Sequence, residues 1–189
     1  MRTLLSADAL RAARALAGLS QREAASRASV TQRAVWTAEG MAHGGVSTNL
    51  KLRTLYEALG IEFLGMINLA TGESVGLGVR WRMPPQLPVS PSIASSFHAT
   101  TGGLAFAAAR ALLNKKQSEV AQLSLLSERK ISALEAGMLA DQVASLRLRS
   151  FYEQERLVFL GWGDVSSGLH YGVGVKWAET PPGEKAAQP

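Results

Sequence analysis

The chain has 189 residues, with 20 Lys and Arg against 15 Asp and Glu, three His and no cysteine. Without cysteine there is no disulfide framework, no iron–sulfur cluster, no thiolate zinc site and no cysteine nucleophile. With 47% apolar and 19% charged residues the composition is that of a globular chain long enough to bury a core, and no apolar run approaches the roughly 20 residues of a membrane span. Asp8 and Arg11 interrupt the amino-terminal apolar residues, so no secretory signal and a cytoplasmic setting are expected. The net charge of +5 is a modest pointer to a polyanionic partner.

In chain order, Leu5 to Ala17 is Ala-rich and predicts a first helix, capped by Ser6 and ended by Gly18. Gln21 to Ala28 predicts a short second helix. Thr31 is placed to cap a third, which runs to Glu39 and stops at Gly40. After the loop His43-Gly44-Gly45, Thr48 is expected to cap a fourth helix, whose apolar stripe is Leu52, Leu55, Tyr56 and Leu59. Gly60 closes it. The period then changes: Ile61, Phe63 and Leu64 open a strand-like run, Thr71-Gly72 reads as a turn, and Gly76 to Trp81 forms a second strand.

The same plan recurs 96 residues later. Ala12 to Leu16 matches Ala108 to Leu112, and Gln21, Glu23, Ala25, Arg33 and Glu39 match Gln117, Glu119, Ala121, Arg129 and Glu135. Tyr56 and Glu57 match Tyr152 and Glu153, and Gly76, Gly78, Val79 and Trp81 match Gly172, Gly174, Val175 and Trp177. Ungapped, positions 12 to 85 contain 24 identities over 74 residues, too many in one register for chance. The chain therefore divides into a first copy over 1–82, a Pro/Ser-rich linker over 83–96, a second copy over 97–182 and a polar tail over 183–189. The linker is expected to be extended and semi-rigid.

The stretch from Leu19 to Val35 resembles the helix-turn-helix of the Cro/C1-type (XRE) family. Ala25 is small where two helices cross, Val30 and Val35 fill the wedge between them, and Arg14 and Glu39 match the pair that ties the first helix to the third in that family. Arg110 and Glu135 repeat the pair, which reads as structural. The fold class implied is mainly α with a small β component: two tandem helix-turn-helix domains, each of four helices followed by a hairpin or strand pair. The resemblance covers the helices of both copies. The strands look like those through which some helix-turn-helix antitoxins dimerise.

The resemblance makes the third helix a recognition helix for the major groove. With Val35 and Ala38 pointing inward, Gln32, Arg33, Trp36 and Thr37 form its outer face. Gln pairs bidentately with adenine and Arg with guanine, each good pair being worth roughly 1–3 kcal/mol of discrimination. Trp36 would touch a thymine methyl or sugar. Gln21, Arg22 and Thr31 are the expected phosphate contacts. In the second copy the corresponding candidates are Gln117, Ser127, Arg129 and Lys130. Two departures stand out there: Glu128 replaces Gln32, and Leu125 replaces Ser29 in a turn that favours glycine, which predicts an altered turn. Residues 1–82 carry ten Lys/Arg and six Asp/Glu, net +4, whereas 103–189 carry ten and nine, net +1. The first copy is the better DNA binder on this count, and the second reads a weaker half-site or serves in assembly.

Open strand edges invite pairing, either between the two copies as an intrachain pseudo-dimer or between chains as a homodimer. The first arrangement would present two recognition helices to major grooves roughly 34 Å apart. Trp81 and Trp177 are expected to fill the core. His43, His98 and His170 lack ligand spacing, so no metal is expected. Gly76-x-Gly78 and Gly172-x-Gly174 lack the Lys-Ser/Thr of a phosphate loop and read as strand glycines at a bulge or close crossing. There is no Gly-x-Ser-x-Gly elbow, and neither an enzyme nor a cofactor is expected.

The expected function is sequence-specific binding of operator double-stranded DNA by a bacterial or phage transcriptional regulator, a repressor acting by steric occlusion. The alternative is an antitoxin-like protein that holds a partner toxin and autoregulates its operon. RNA binding is disfavoured by the lack of stacking aromatics on a sheet surface.

Overall fold

The computed structural model describes residues 4–40, 45–68, 71, 74–138 and 141–179. The loop residues His43 and Gly44, the turn residue Gly72 and the tail over 183–189 lie outside them. Among the described residues, helices and one antiparallel sheet are both present, with helix predominant.

The first half runs α1 (Ala7–Leu16), α2 (Gln21–Arg27), α3 (Gln32–Gly40), α4 (Val46–Ala58), β1 (Ile61–Ile67) and β2 (Ser74–Trp81). A short helix α5 (Pro91–Ala94) and strand β3 (Ala99–Thr100) follow. The second half repeats the first order as α6 (Phe106–Leu112), α7 (Gln117–Ser124), α8 (Glu128–Glu135), α9 (Gln142–Gln154), β4 (Leu157–Gly163) and β5 (His170–Trp177). The segment expected to be an extended linker thus contains a helical turn. Pro91 explains it, because its fixed φ suits the first position of a helix.

Local chemistry sets most of these boundaries. Ser20 and Glu23 form a reciprocal capping box on α2, with Glu23 N–H donating to Ser20 Oγ at 3.2 Å and Ser20 N–H donating to Glu23 Oε2 at 2.8 Å. Ser6 occupies the N-cap position of α1, but its hydroxyl makes no capping bond. Thr48 does not cap α4, which starts at Val46 after Gly45, so Thr48 lies within its first turn.

Left-handed residues stand at equivalent positions in both copies: Gly18 and Asn114, Ser29 and Leu125, Gly60 and Arg156. The altered turn expected at Leu125 is not found. Its φ of 55° matches the 51° of Ser29, because the packing of α7 against α8 holds the backbone there despite the Cβ cost.

The sheet joins the halves. β1 pairs with β2 and β4 with β5, both antiparallel, and β2 pairs with β5 through Gly78 to Lys176, Val79 to Val175 and Arg80 to Gly174. β3 continues along the same edge of β5. A Cβ on Gly78 would come within 2.3 Å of the Val175 carbonyl, and one on Gly174 within 2.2 Å of the Val79 carbonyl. These glycines therefore sit at a close backbone crossing, where no side chain fits. The register slips in β1 between Leu64 and Met66 and in β4 between Leu160 and Trp162, around Gly65 and Gly161, in matching bulges.

Above the sheet α1 packs on α6, and one continuous core runs through both halves, from Leu10, Val35, Leu52 and Tyr56 to Phe106, Ile131, Leu148 and Tyr152. Leu55 and Leu59 of the α4 stripe are partly buried against it. Trp81 is buried in this core and its ring stacks on His98, with centroids 3.7 Å apart. Trp177 packs at the core's edge and donates its indole N–H to Asp8 of the first half at 3.1 Å. No helix among the described residues is long and apolar enough to cross a membrane.

Candidate nucleic-acid interface

The candidate surface is the outer side of α3, together with the start of α2. What holds α3 in place is a buried ionic network. Arg14 of α1 clamps the Glu39 carboxylate with two bonds, Nε to Oε1 at 2.6 Å and Nη2 to Oε2 at 2.9 Å. Gln21 donates its amide N–H to Glu39 Oε2 at 2.9 Å, and Arg14 Nη1 reaches the Leu19 carbonyl at 3.0 Å. Glu39 is 3% exposed. Its charge is tolerated inside because three donors meet it in planar geometry. The Arg11 guanidinium bonds the Glu39 carbonyl and also donates to Ala111 of α6 at 3.1 Å.

The second copy reproduces the bonds among Arg14, Glu39 and Gln21, with Ala107 standing where the first copy has Arg11. Arg110 binds Glu135 at 2.6 and 2.9 Å, Gln117 donates to Glu135 at 2.8 Å, and Arg110 reaches the Lys115 carbonyl at 3.2 Å. Behind each network lies a tyrosine, Tyr56 or Tyr152, fully buried with its hydroxyl unpartnered. Burial first, and then the charge of Glu39 or Glu135, pushes both phenols far above their ordinary value.

With its inner side locked, α3 presents Gln32, Arg33 and Trp36 to solvent, Trp36 being 58% exposed. Val35 and Ala38 are buried. Thr31 caps the helix through a bond from the Ala34 N–H to its Oγ1 at 3.1 Å. Thr37 departs from the expected outer face: it is half-buried and its hydroxyl donates to the Arg33 carbonyl at 2.9 Å. Gln21 departs as well. Its side chain, expected at phosphate, is half-buried and turned onto Glu39. Arg22, one residue on, is exposed. The Glu23 carboxyl lies below its usual range because the Ser20 backbone and hydroxyl hold its charged form.

On α8 the equivalent face is Glu128, Arg129 and Ser132, all exposed. Ser127 caps this helix, accepting from the Lys130 N–H at 3.3 Å. Lys130 is not free on that face: its ammonium pairs with Asp141 at 2.7 Å, and Asp141 also caps α9 through the Ala144 N–H. Gln117, like Gln21, is turned inward. Among the described residues, Arg129 is the second-copy candidate that is exposed and makes no side-chain bond within the chain.

Lys51 and Arg147 were not singled out from sequence. Each sits on the helix after the recognition candidate and donates to the left-handed turn residue, Lys51 to the Ser29 carbonyl at 3.3 Å and Arg147 to the Leu125 carbonyl at 3.5 Å. The signal was present in the repeat, since both copies carry a basic residue at that position. Among the described residues, no group of three His, Asp or Glu is placed to hold a metal. Comparison of the chain with protein-family models, with curated proteins and with solved structures found no match.

Proposed function

We propose that the chain is a sequence-specific double-stranded DNA-binding regulator of transcription, built as two helix-turn-helix units of the Cro/C1 type joined in one chain. The observation that carries this reading is the outer side of α3. There Gln32, Arg33 and Trp36 stand exposed on a short capped helix whose opposite side is anchored by Arg14, Glu39 and Gln21. Side chains of that kind on the first turns of a helix are suited to base edges in the major groove. Arg22 and Lys51 flank the helix and supply phosphate contacts, and the excess positive charge of the first copy adds long-range attraction. Regulation would follow from occupying a promoter.

The pairing of β2 with β5 and of α1 with α6 makes the second unit a covalent partner of the first. Because Gln32 corresponds to Glu128 and Trp36 to Ser132, the two units would read unlike half-sites. The test is footprinting on the DNA upstream of the chain's own gene, followed by gel shifts on the protected fragment. Gln32→Ala with Arg33→Ala is expected to remove specific binding while circular dichroism stays unchanged. Undiminished affinity in that folded variant would refute the reading.

A further inference from the structure

The two copies act as internal controls for each other, and they differ in chemistry where α1 and α6 meet. Arg11 of α1 donates to the carbonyl of Glu39 and, at 3.1 Å, to that of Ala111 on α6. In the second copy the equivalent of Arg11 is Ala107, and the equivalents of Glu39 and Ala111 are Glu135 and Ala15. All three line a cavity of about 440 Å³. The Ala107 methyl donates nothing, so the place that a planar cation fills in one copy is open space in the other. The ends of two helices come together there, α1 at Ala15 and Leu16 and α8 at Glu135. Helix C-termini carry carbonyls without helical partners and the negative end of the macrodipole, both of which favour a cation. Asp8, whose charge favours that of Arg11, is replaced by Leu104, which joins Phe106 and Val173 in an apolar part of the lining.

We propose that this cavity is a binding site for a small molecule with a guanidinium or amidinium head and a short apolar body. The head would take the place at Glu135 and Ala15 that Arg11 takes at Glu39 and Ala111, and the body would lie against Leu104, Phe106 and Val173. The volume is at the small end of ligand sites, which run from roughly 300 to 1,000 Å³. A planar head with several N–H donors meets two carbonyls at once; an ammonium lacks that fork, and a neutral urea lacks the charge that strengthens the bonds. Because the lining comes from both units, the ligand would tie α1 of the first to α8 of the second. None of the residues assigned to DNA lines the cavity, so the site stands apart from the DNA reading.

Isothermal titration calorimetry of the full chain with butylguanidine tests this, with butylurea as the neutral isostere. A single butylguanidine per chain is expected, bound about tenfold more tightly than butylurea. Ala107→Arg supplies the head from the chain itself and should abolish that binding with an unchanged circular dichroism spectrum. Arg11→Ala opens the equivalent place in the first copy and should double the stoichiometry. It only shortens a side chain, so it carries the test should Ala107→Arg misfold. Gln32→Ala with Arg33→Ala should leave the titration unchanged, which separates this outcome from the DNA reading. A wild-type chain that does not bind butylguanidine, equal affinity for butylurea, a folded Ala107→Arg variant that still binds, or a folded Arg11→Ala variant with unchanged stoichiometry would each overturn the proposal.

Discussion

Val79 and Val175 are paired across the seam between β2 and β5, and they are the same residue of the two repeats. On either side of them the register is self-complementary, with a glycine of one copy opposite a basic residue of the other: Gly78 with Lys176, and Gly174 with Arg80. A pseudo-two-fold axis therefore passes between the valines, and α1 and α6 meet across it as well. One chain builds within itself the kind of isologous contact that two identical subunits would build between them.

The glycines beside those valines set the closeness of the seam. Gly78→Val or Gly174→Val would drive a Cβ to within 2.4 Å of the opposite backbone, so the strands must separate. A loss of about 2–4 kcal/mol is expected in urea unfolding, in the range of severe overpacking. Gly40→Ala, where a Cβ meets nothing within 4 Å, is the control and should change stability by less than about 0.5 kcal/mol.

Glu39 should be far more costly to replace than its surface would suggest. Glu39→Ala strands the Arg14 guanidinium and the Gln21 amide together. Because Arg14 keeps some solvent contact, at 20% exposure, the expected loss is about 2–3 kcal/mol, below the full range for breaking a buried pair. Arg14→Lys should lose a good part of this too, since an ammonium cannot reproduce the two-bond clamp. Denaturant midpoints of the single variants and the double variant would measure the coupling.

Ser29→Gly should stabilise the chain by about 0.5–1 kcal/mol, because the residue holds φ at 51° and glycine removes the Cβ cost of that backbone. The Lys51 bond is to the backbone carbonyl and survives the change. Thermal unfolding would show a rise of a few degrees; a fall would mean that the turn is not left-handed in solution.

Asp164 organises the turn between β4 and β5. It accepts from the Ser166 N–H at 2.9 Å and from the hydroxyls of Ser166 at 2.7 Å and Ser167 at 2.9 Å. The Ser166 hydroxyl first, and then its backbone N–H, hold the carboxyl below the usual range. A depressed folded value means the contribution is present above the unfolded value near 4 and is lost as pH falls through the lower folded one. The stability of Asp164→Asn should therefore depend less on pH below about 4 than that of the wild type, as read by urea titrations at stepped pH.

Arg129 decides whether the second unit contacts DNA. If it does, Arg129→Ala should shorten the footprint on one side while leaving the first-copy half protected. It is a cleaner probe than Lys130, whose removal would also unpair Asp141 at the start of α9. An unchanged footprint would assign the second unit to assembly.

How far the sequence reached is clearest at Glu39. Its match with Glu135, and the matches of Arg14 with Arg110, were sufficient to mark a structural pair. The third member, Gln21, is not legible as such in the sequence, because a first-turn glutamine can reach either outward or back to a neighbouring helix. Only the position of α3 settles which. The internal partners of Thr37 and Lys130, the Arg33 carbonyl and Asp141, are not legible in sequence for the same reason: they depend on helix geometry and on where α9 begins.

The 96-residue repeat, the helix order, the cap at Thr31 and the role of the strand glycines were determined by sequence alone, since short-range hydrogen bonding and periodicity specify them. The partner of each hairpin was not. Open strand edges could pair within the chain or between chains, and composition is silent on the choice. The tertiary structure decided it by bringing Val79 to Val175, where paired glycines allow two backbones to approach and the buried α1–α6 contact holds them there.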